Sequence, residues 1–149
     1  MYNSDPIFDV ELSKVQPSNE GEVAQDMVDM EPLNHATLLW NLQQRYREDK
    51  IYTFVGPTLL CVNPFKPVKH YLLPEVVESY KKIIKAKSIL IVKEMEPHIY
   101  AISALAYKQM MDTCNKQAII ISGESGAGKT EGAKQCMRFL TSLSSHSGG

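Results

Sequence analysis

The sequence predicts an α/β fold in which helices flank an incomplete sheet. Three neighbouring features in the last third of the chain predict it. Residues 117–122 are apolar and β-branched, as in a buried strand, and they run directly into a glycine-rich loop at residues 123–130. After the loop, apolar side chains recur at helical spacing from Ala133 to Leu143. We therefore expect a sheet strand that feeds a loop and then a helix.

The glycine-rich loop fits the phosphate-binding pattern G-x-x-x-x-G-K-[S/T] without a mismatch. Its glycines let successive backbone N–H groups point at one anion, and the helix start adds further N–H groups and partial positive charge. Lys129 supplies a positive charge to the terminal phosphates, and the Thr130 hydroxyl is placed to ligate Mg2+. The pattern predicts a partial P-loop NTPase-type nucleotide-binding core, with Lys129 in the catalytic role and a set of loop residues on the nucleotide: Gly123, Glu124, Ser125, Gly126, Ala127, Gly128, Lys129 and Thr130.

The composition is that of one globular domain. The chain has 149 residues, of which 44% are hydrophobic and 22% charged, and this excludes a disordered tail. Its net charge of −1 gives no overall field that would favour nucleic-acid or membrane binding. The cysteines, Cys61, Cys114 and Cys136, are an odd and sparse set that indicates reduced thiols, and we expect Cys61 and Cys136 to be buried. There is neither a signal-peptide pattern nor an aliphatic run long enough to span a bilayer, so a cytoplasmic protein is expected.

In the first half of the chain, the sequence predicts a polar arm at residues 1–25, followed by a helix and a hairpin. Asn34 is a good N-cap for a helix whose apolar face would contain Leu38, Leu39, Leu42 and Tyr46. Residues 51–54 and 58–62 are typical of two strands, and the Gly56-Pro57 pair between them indicates a turn.

Two further helices are predicted before residue 117, each opened by a proline. Pro74 suits the first turn of a helix that presents Val77, Tyr80 and Ile84 to the core. Pro97 opens the next helix in the same way, and its inner face is predicted to consist of Ile99, Ile102, Ala106 and Met110.

Four ordered segments of the chain resemble the motor head of myosins. The loop and the residue after it, Glu131, read as the phosphate loop of that family usually does. Residues 26–56 resemble the opening segment of the motor, Asn63-Pro64-Phe65-Lys66 resembles the family's adenine-side motif, and residues 97–107 resemble the helix that leads into the nucleotide-binding strand. The resemblance covers nearly all of residues 26–140. It implies that residues 26–149 are the N-terminal part of a myosin motor domain that follows the arm.

The resemblance also implies a function. Asn63, Pro64, Phe65, Lys66 and Tyr71 would lie beside the adenine of ATP, and Glu131 would join the nucleotide-binding set, with Mg2+ as the accompanying ion. The complete family member would hydrolyse ATP to generate force on actin filaments in the cytoskeleton, with a light chain or calmodulin on its lever. The family's switch segments, actin-binding surface and lever all lie downstream of the phosphate-loop helix, so the chain alone is expected to be inactive.

Several positions depart from the family pattern. Lys69 and His70 stand before Tyr71 where an apolar residue or proline is usual, and Glu96 replaces the first proline of a pair. The link at residues 81–93 is longer than in the family and contains an aliphatic run at residues 89–92. This run is compatible with a packed strand, a lineage-specific insert, or a sequence absent from the mature protein.

Two other classes of protein remain open from the sequence. One is a different P-loop NTPase, such as a kinesin-like motor or a small nucleotide kinase, although the Asn-Pro-Phe-Lys segment argues against it. The other is a non-enzymatic fragment that at most binds nucleotide or a partner chain.

Overall fold

The computed structural model describes residues 23–144, so most of the predicted polar arm lies outside the described residues. Within this range the chain forms a hairpin and helices, with short 3-10 segments at Met27–Asp29, Lys69–Leu72 and Ile89–Glu94. The regular elements, in chain order, are α1 (His35–Arg47), β1 (Tyr52–Val55), β2 (Thr58–Cys61), α2 (Pro74–Lys85), α3 (Ile99–Thr113) and α4 (Lys129–Ser144).

The two strands form an antiparallel hairpin, which confirms the predicted strands to within one residue at each end. Tyr52 lies opposite Cys61, and Val55 lies opposite Thr58. Gly56 occupies the turn with a φ of 58°, a left-handed conformation that glycine adopts without a steric cost. The chain before α1 extends this small sheet, because the Phe54 N–H donates to the Gln25 carbonyl at 2.9 Å.

The strand predicted at residues 117–122 does not form. This segment has no regular secondary structure and no strand partner among the residues that the structure describes. Ile120 is 89% exposed, while Ile119 packs against the edge of the core. The β-branched composition favours an extended chain, but a strand also needs a neighbour for its N–H and C=O groups. The elements on either side, α3 and α4, are helices whose own backbone groups are already paired.

The core lies where α3 packs between α2 and α4. The buried face of α3 includes Ala101, Ser103 and Ala104, and such small side chains let neighbouring helices approach closely. The rings of Tyr100 and Phe139 stack across the contact with α4, with centroids 5.1 Å apart. A Cβ at Gly132 would lie 3.4 Å from Ile99 Cδ1, so this glycine, which weakens the helix locally, allows α4 to approach the start of α3.

Helix α1 begins as predicted but buries a different face. The Asn34 side chain accepts from the Thr37 N–H at 3.0 Å, and the Thr37 hydroxyl accepts from the Asn34 N–H at 3.1 Å, which is a complete capping box. The predicted apolar face was wrong, since Leu39 is 69% exposed. The buried side chains are polar ones at four-residue spacing, namely Thr37, Asn41 and Arg45.

These polar side chains are buried because each has backbone partners. The Asn41 amide exchanges two hydrogen bonds with the backbone of Ala24, at 2.9 and 3.1 Å. The Arg45 guanidinium donates to the Tyr52 carbonyl at 2.8 Å, to the Thr53 hydroxyl at 3.0 Å and to the Glu96 carboxylate at 2.8 Å. Glu96, the residue that departs from the family pattern, thus neutralises the buried guanidinium.

The helices predicted from the two prolines are present, with small corrections. Pro74 is the first residue of α2, and Ile83, not Ile84, is the fully buried isoleucine of this helix. Helix α3 starts at Ile99 with His98 as its N-cap, and Met110 is exposed where the core was predicted.

The prediction for one of the two cysteines was also wrong, and one alternative for the aliphatic run can be removed. Cys61 is exposed at the end of β2, although Cys136 is buried as expected. The packed-strand interpretation of the aliphatic run is excluded, because Ile89–Glu94 is a 3-10 helix. Over residues 23–144, no helix has both the length and the apolar character that a bilayer span requires.

We expect Arg45→Ala to lower the free energy of unfolding by about 3 kcal/mol. The change leaves the Tyr52 carbonyl and the Thr53 hydroxyl without their donor and opens a cavity in the core. Urea titration followed by circular dichroism measures the difference. The control is Arg47→Ala on the exposed face of the same helix, which should change stability by no more than about 0.5 kcal/mol. Equal losses in the two variants would contradict the role of the buried guanidinium.

Candidate nucleotide-binding site

The loop before α4 is a tight curl that depends on glycine. Gly123, Gly126 and Gly128 have φ values of 150°, 79° and 93°, which are unfavourable for other residues. A Cβ at Gly123 would lie 3.0 Å from the Cβ of Ala127, which is closer than two such atoms pack. The backbone therefore folds back on itself and leaves an exposed concave turn at the helix start.

The Lys129 side chain closes this curl from the helix end. Its Nζ donates to the carbonyls of Gly123 at 2.8 Å and Glu124 at 2.7 Å. The first N–H bonded in the α-helical manner is that of Gly132, which donates to the Gly128 carbonyl at 2.9 Å. The N–H groups that precede it are at the open end of a long helix, where they and the helix dipole favour an anion.

Asn63 connects this loop to the chain that follows β2. Its Nδ2 donates to the Gly126 carbonyl at 2.7 Å, and its Oδ1 accepts from the Phe65 N–H at 2.9 Å. One amide side chain therefore fixes the position of the glycine-rich loop and the shape of the Asn-Pro turn. This is the contact that brings two segments more than sixty residues apart in the sequence into one site.

A cleft of about 320 Å³ lies beside the Asn63 contact. One wall is the segment after β2 and the other is the start of α4, with aromatic side chains on the floor. The cleft-lining residues that the sequence also predicted are Asn63, Pro64, Lys66, Tyr71, Ala127, Gly128 and Glu131.

The structure separates some predicted site residues from this cleft. Phe65 is 84% exposed and does not line it, because its positive φ of 51° turns the side chain away. Lys66 lines the cleft, yet its Nζ is paired with the Asp49 carboxylate at 2.6 Å. Lys129 and Thr130 are exposed at the helix start together with residues 123–126. The phosphate loop and the cleft are thus adjacent parts of one surface.

The floor of the cleft includes a residue that the sequence did not single out, His98. Its ring is buried among four tyrosines, with ring centroids 4.2 Å from Tyr100, 4.9 Å from Tyr52, 5.0 Å from Tyr71 and 5.2 Å from Tyr80. Its Nδ1 accepts from the Tyr100 N–H at 3.0 Å and so caps α3. The sequence signal that could have identified His98 is its position between a proline and an apolar helix start, where an N-cap is expected.

Burial keeps the cleft floor uncharged. Desolvation lowers the pKa of His98 to about 3, with a smaller effect from nearby His70, and desolvation raises the pKa of Tyr71 to about 12. At neutral pH the imidazole is therefore neutral, and because Nδ1 accepts a hydrogen bond, the proton is on Nε2. His98 Nε2 and Tyr71 Oη are buried polar atoms without a hydrogen-bond partner among residues 23–144. The floor of the cleft therefore carries no charge at neutral pH.

Comparison with known proteins places the chain in a family. The family model described as myosin head (motor domain) matches residues 24–148. The chain is 40% identical over 139 residues to the high molecular weight form of myosin-1 from Acanthamoeba castellanii, covering 93% of this chain and 8% of that protein. It is 42% identical over 120 residues to unconventional myosin-Ia from Gallus gallus, covering 80% of this chain and 11% of the relative. An alignment of 152 positions with Myosin-2 of Arabidopsis thaliana gives 39% identity, over 100% of this chain and 12% of the relative.

The chain therefore belongs to the myosin head (motor domain) family. This confirms the resemblance drawn from the four ordered segments, and it leaves a kinesin-like motor or a nucleotide kinase without support. The chain spans about a tenth of the length of these relatives. The boundary between the arm and the motor at residue 26 stays a prediction.

We expect the stability of the chain to fall as the pH is lowered from 6.5 towards 5 because of His98. Its folded pKa is depressed to about 3 and its unfolded value is about 6.5. Between these values only the unfolded chain binds the proton, so the free energy of unfolding decreases by about 1.4 kcal/mol for each pH unit lost. Thermal or urea unfolding at several pH values measures this slope.

Two variants separate His98 from the other groups that titrate in the same range. His98→Phe keeps an aromatic ring without a titrating group and should flatten the slope. The matched change at an exposed histidine away from the cleft, His35→Phe, should leave it steep. Parallel curves for the original chain and His98→Phe would show that the buried imidazole is not the source.

Proposed function

We propose that the chain forms the ATP-binding corner of a myosin motor, with the phosphates on the loop at residues 123–130 and the adenine in the adjacent cleft. The observation that supports this most directly is the Asn63 Nδ2 contact with the Gly126 carbonyl at 2.7 Å. It places a loop suited to anions next to a mostly apolar cleft. A nucleotide likewise has an anionic phosphate end close to a largely apolar base.

The phosphate end combines a positive charge with backbone donors. Lys129 is the cation that the loop contributes, and the open N–H groups of α4 lie next to it. Negative charge that develops on the terminal phosphoryl group during hydrolysis would be stabilised by these fixed donors. Gly123, Gly126 and Gly128 permit the curl that aims the donors, and Glu124, Ser125 and Ala127 supply the backbone between them.

The adenine end combines an apolar surface with few polar atoms. Pro64 and Tyr71 supply flat apolar area, and the Asn63 and Tyr71 side chains carry hydrogen-bonding groups of both kinds. The neutral floor suits an uncharged base, since no buried charge has to be desolvated there. Phe65 is exposed beyond the rim and would contact a ligand only after its side chain turned inward. We assign it a smaller part than the other residues of the turn.

Magnesium is proposed to accompany ATP at Thr130. The hydroxyl lies in the first turn of α4, beside Lys129, and a hard cation takes oxygen ligands of this kind. Residues 23–144 contain no cluster of three or more acidic, histidine or cysteine side chains that would bind a metal alone, so most ligands must come from phosphate and water. When bound, the ion neutralises phosphate charge, whereas Lys129 and the loop amides orient the nucleotide.

The actin-based part of the function rests on the family. We propose that the whole protein hydrolyses ATP to move on actin filaments in the cytoplasm, as part of the cytoskeleton, with a light chain or calmodulin on its lever. The described residues supply a phosphate cradle and one magnesium ligand, and hydrolysis also needs groups that orient water. We therefore propose that this chain binds ATP without turning it over.

We expect Lys129→Ala to weaken binding of a fluorescent ATP analogue about ten- to a hundredfold, because a charge-assisted hydrogen bond to phosphate is lost. Thr130→Ala should reduce affinity mainly when Mg2+ is present. Equilibrium titration with and without the ion separates the two effects. Lys134→Ala, one turn along the same helix and outside the loop, is the control and should bind normally. Unchanged affinity in Lys129→Ala would reject the assignment of the loop.

We also expect the 149-residue chain to show no ATP hydrolysis above background, with or without filamentous actin. Loss of a single positioned electrostatic donor already lowers enzymatic rates by about a hundredfold or more. Phosphate release measured under conditions where the analogue is bound tests this. Actin-stimulated release would show that the chain is catalytically sufficient.

A further inference from the structure

We propose that the end of α2 and the turn after it, residues 82–93, dock onto an anionic lipid bilayer. We call this surface the lysine turn. It is separate from the nucleotide site, since none of its residues lines the cleft beside Asn63. The proposal therefore does not depend on the proposed function.

The lysine turn is strongly basic, although the whole chain is almost neutral. Residues 79–93 contain five lysines and no acidic residue, although the chain has a net charge of −1. Lys81 is paired with Glu78 at 2.6 Å. The other lysines of this stretch are exposed, and they are Lys82, Lys85, Lys87 and Lys93. A juxtaposition of several exposed lysines attracts the anionic headgroups of a cytoplasmic leaflet.

Two aliphatic side chains project from the middle of this charge. Ile89 is 64% exposed and Leu90 is 63% exposed, whereas Val92 of the same run is buried in the core. The Ser88 side chain stabilises this conformation of the turn, because it accepts a hydrogen bond from the Leu90 N–H at 3.2 Å at the start of the 3-10 helix. Val92 therefore anchors the turn to the core, whereas Ile89 and Leu90 are exposed to solvent.

This combination favours a bilayer over the other partners of a basic surface. The exposed apolar area of two aliphatic side chains is too small for the centre of a stable protein interface. The stretch contains no exposed aromatic ring on which a nucleic-acid base could stack, since Tyr80 is buried. Shallow insertion of aliphatic side chains flanked by lysines is, by contrast, sufficient for reversible membrane binding.

The helix dipole accounts for part of the charge but not for the whole surface. Lys82 and Lys85 are in the last turn of α2, where cations complement the partial negative charge of the carbonyls. Lys87 lies beyond α2, on one side of Ile89 and Leu90, where no helix end accounts for it. Lys93 lies on their other side, in the last turn of the 3-10 segment.

Vesicle co-sedimentation of the 149-residue chain tests the proposal. The probe is a vesicle of phosphatidylcholine and phosphatidylserine in a ratio of about three to one, and pure phosphatidylcholine is the comparison. We expect binding to the anionic vesicles, weak binding to the neutral ones, and release at high salt. Equal binding to both, or binding to neither, would overturn the proposal.

Matched variants locate the surface. Lys85→Gln/Lys87→Gln should weaken anionic-vesicle binding about tenfold or more, and Ile89→Ser/Leu90→Ser should weaken it to a similar degree. Lys69→Gln/Lys116→Gln and Leu39→Ser remove the same groups from other exposed positions and should have little effect. All seven substitutions are at the surface, so the melting temperature of each variant should stay within about 2 °C. If the control variants lose as much binding as those in the lysine turn, the assignment is wrong.

A pair of substitutions at Ser88 tests the electrostatic part alone. Asp and Asn are both good N-caps, so Ser88→Asp and Ser88→Asn keep the turn while only the first adds a negative charge between Lys87 and Ile89. We expect Ser88→Asp to bind the anionic vesicles at least severalfold more weakly than Ser88→Asn. A single-stranded oligouridylate is the second probe. If it binds as tightly as the vesicles and binding is unaffected by Ile89→Ser/Leu90→Ser, the surface is a nucleic-acid site and the proposal fails.

Discussion

The buried guanidinium of Arg45 is the constraint on which the rest of this structure depends. It emerges from α1, contacts the backbone of β1, and is neutralised by Glu96 just before α3. Glu96 also accepts from the Gln25 side chain, and its carbonyl accepts from the Tyr80 hydroxyl. Arg45 and Glu96 together therefore connect α1, β1 and α2 with the segments that precede α1 and α3. A core built this way is specified by hydrogen-bond geometry as well as by apolar volume.

The same constraint determines where the candidate site forms. Glu96 is followed by Pro97 and His98, so fixing the carboxylate fixes the start of α3 and the ring below the cleft. The Asn63 side chain then fixes the loop beside the cleft, because its Nδ2 donates to the Gly126 carbonyl. Polar side chains thus define the site at each step, whereas the apolar residues fill the space between the helices.

The sequence predicted the local features of this chain better than the long-range ones. The hairpin, the Asn34 cap and the helix at Pro74 follow from turn, capping and proline chemistry within a few residues. The buried face of α1 could not be predicted, because Asn41 and Arg45 are buried by partners that only the folded chain supplies. Residues 117–122 failed for a related reason, since a strand depends on a neighbour as much as on its own composition. In the candidate site, the loop pattern predicted the tight glycine turn that the structure shows, while His98 was marked only by its position after a proline.

The Lys129 contacts imply that the loop is ordered by a side chain of its own. The ammonium group satisfies two carbonyls, those of Gly123 and Glu124, that would otherwise repel one another across the curl. Under the proposed function, a phosphate would meet a loop and an ammonium group that are already in position, so binding would not have to order the segment. The conformational entropy of the loop is lost during folding, when the helix forms, and not during recognition. In the proposed nucleotide site, affinity would then reflect charge and geometry and not the cost of ordering the loop.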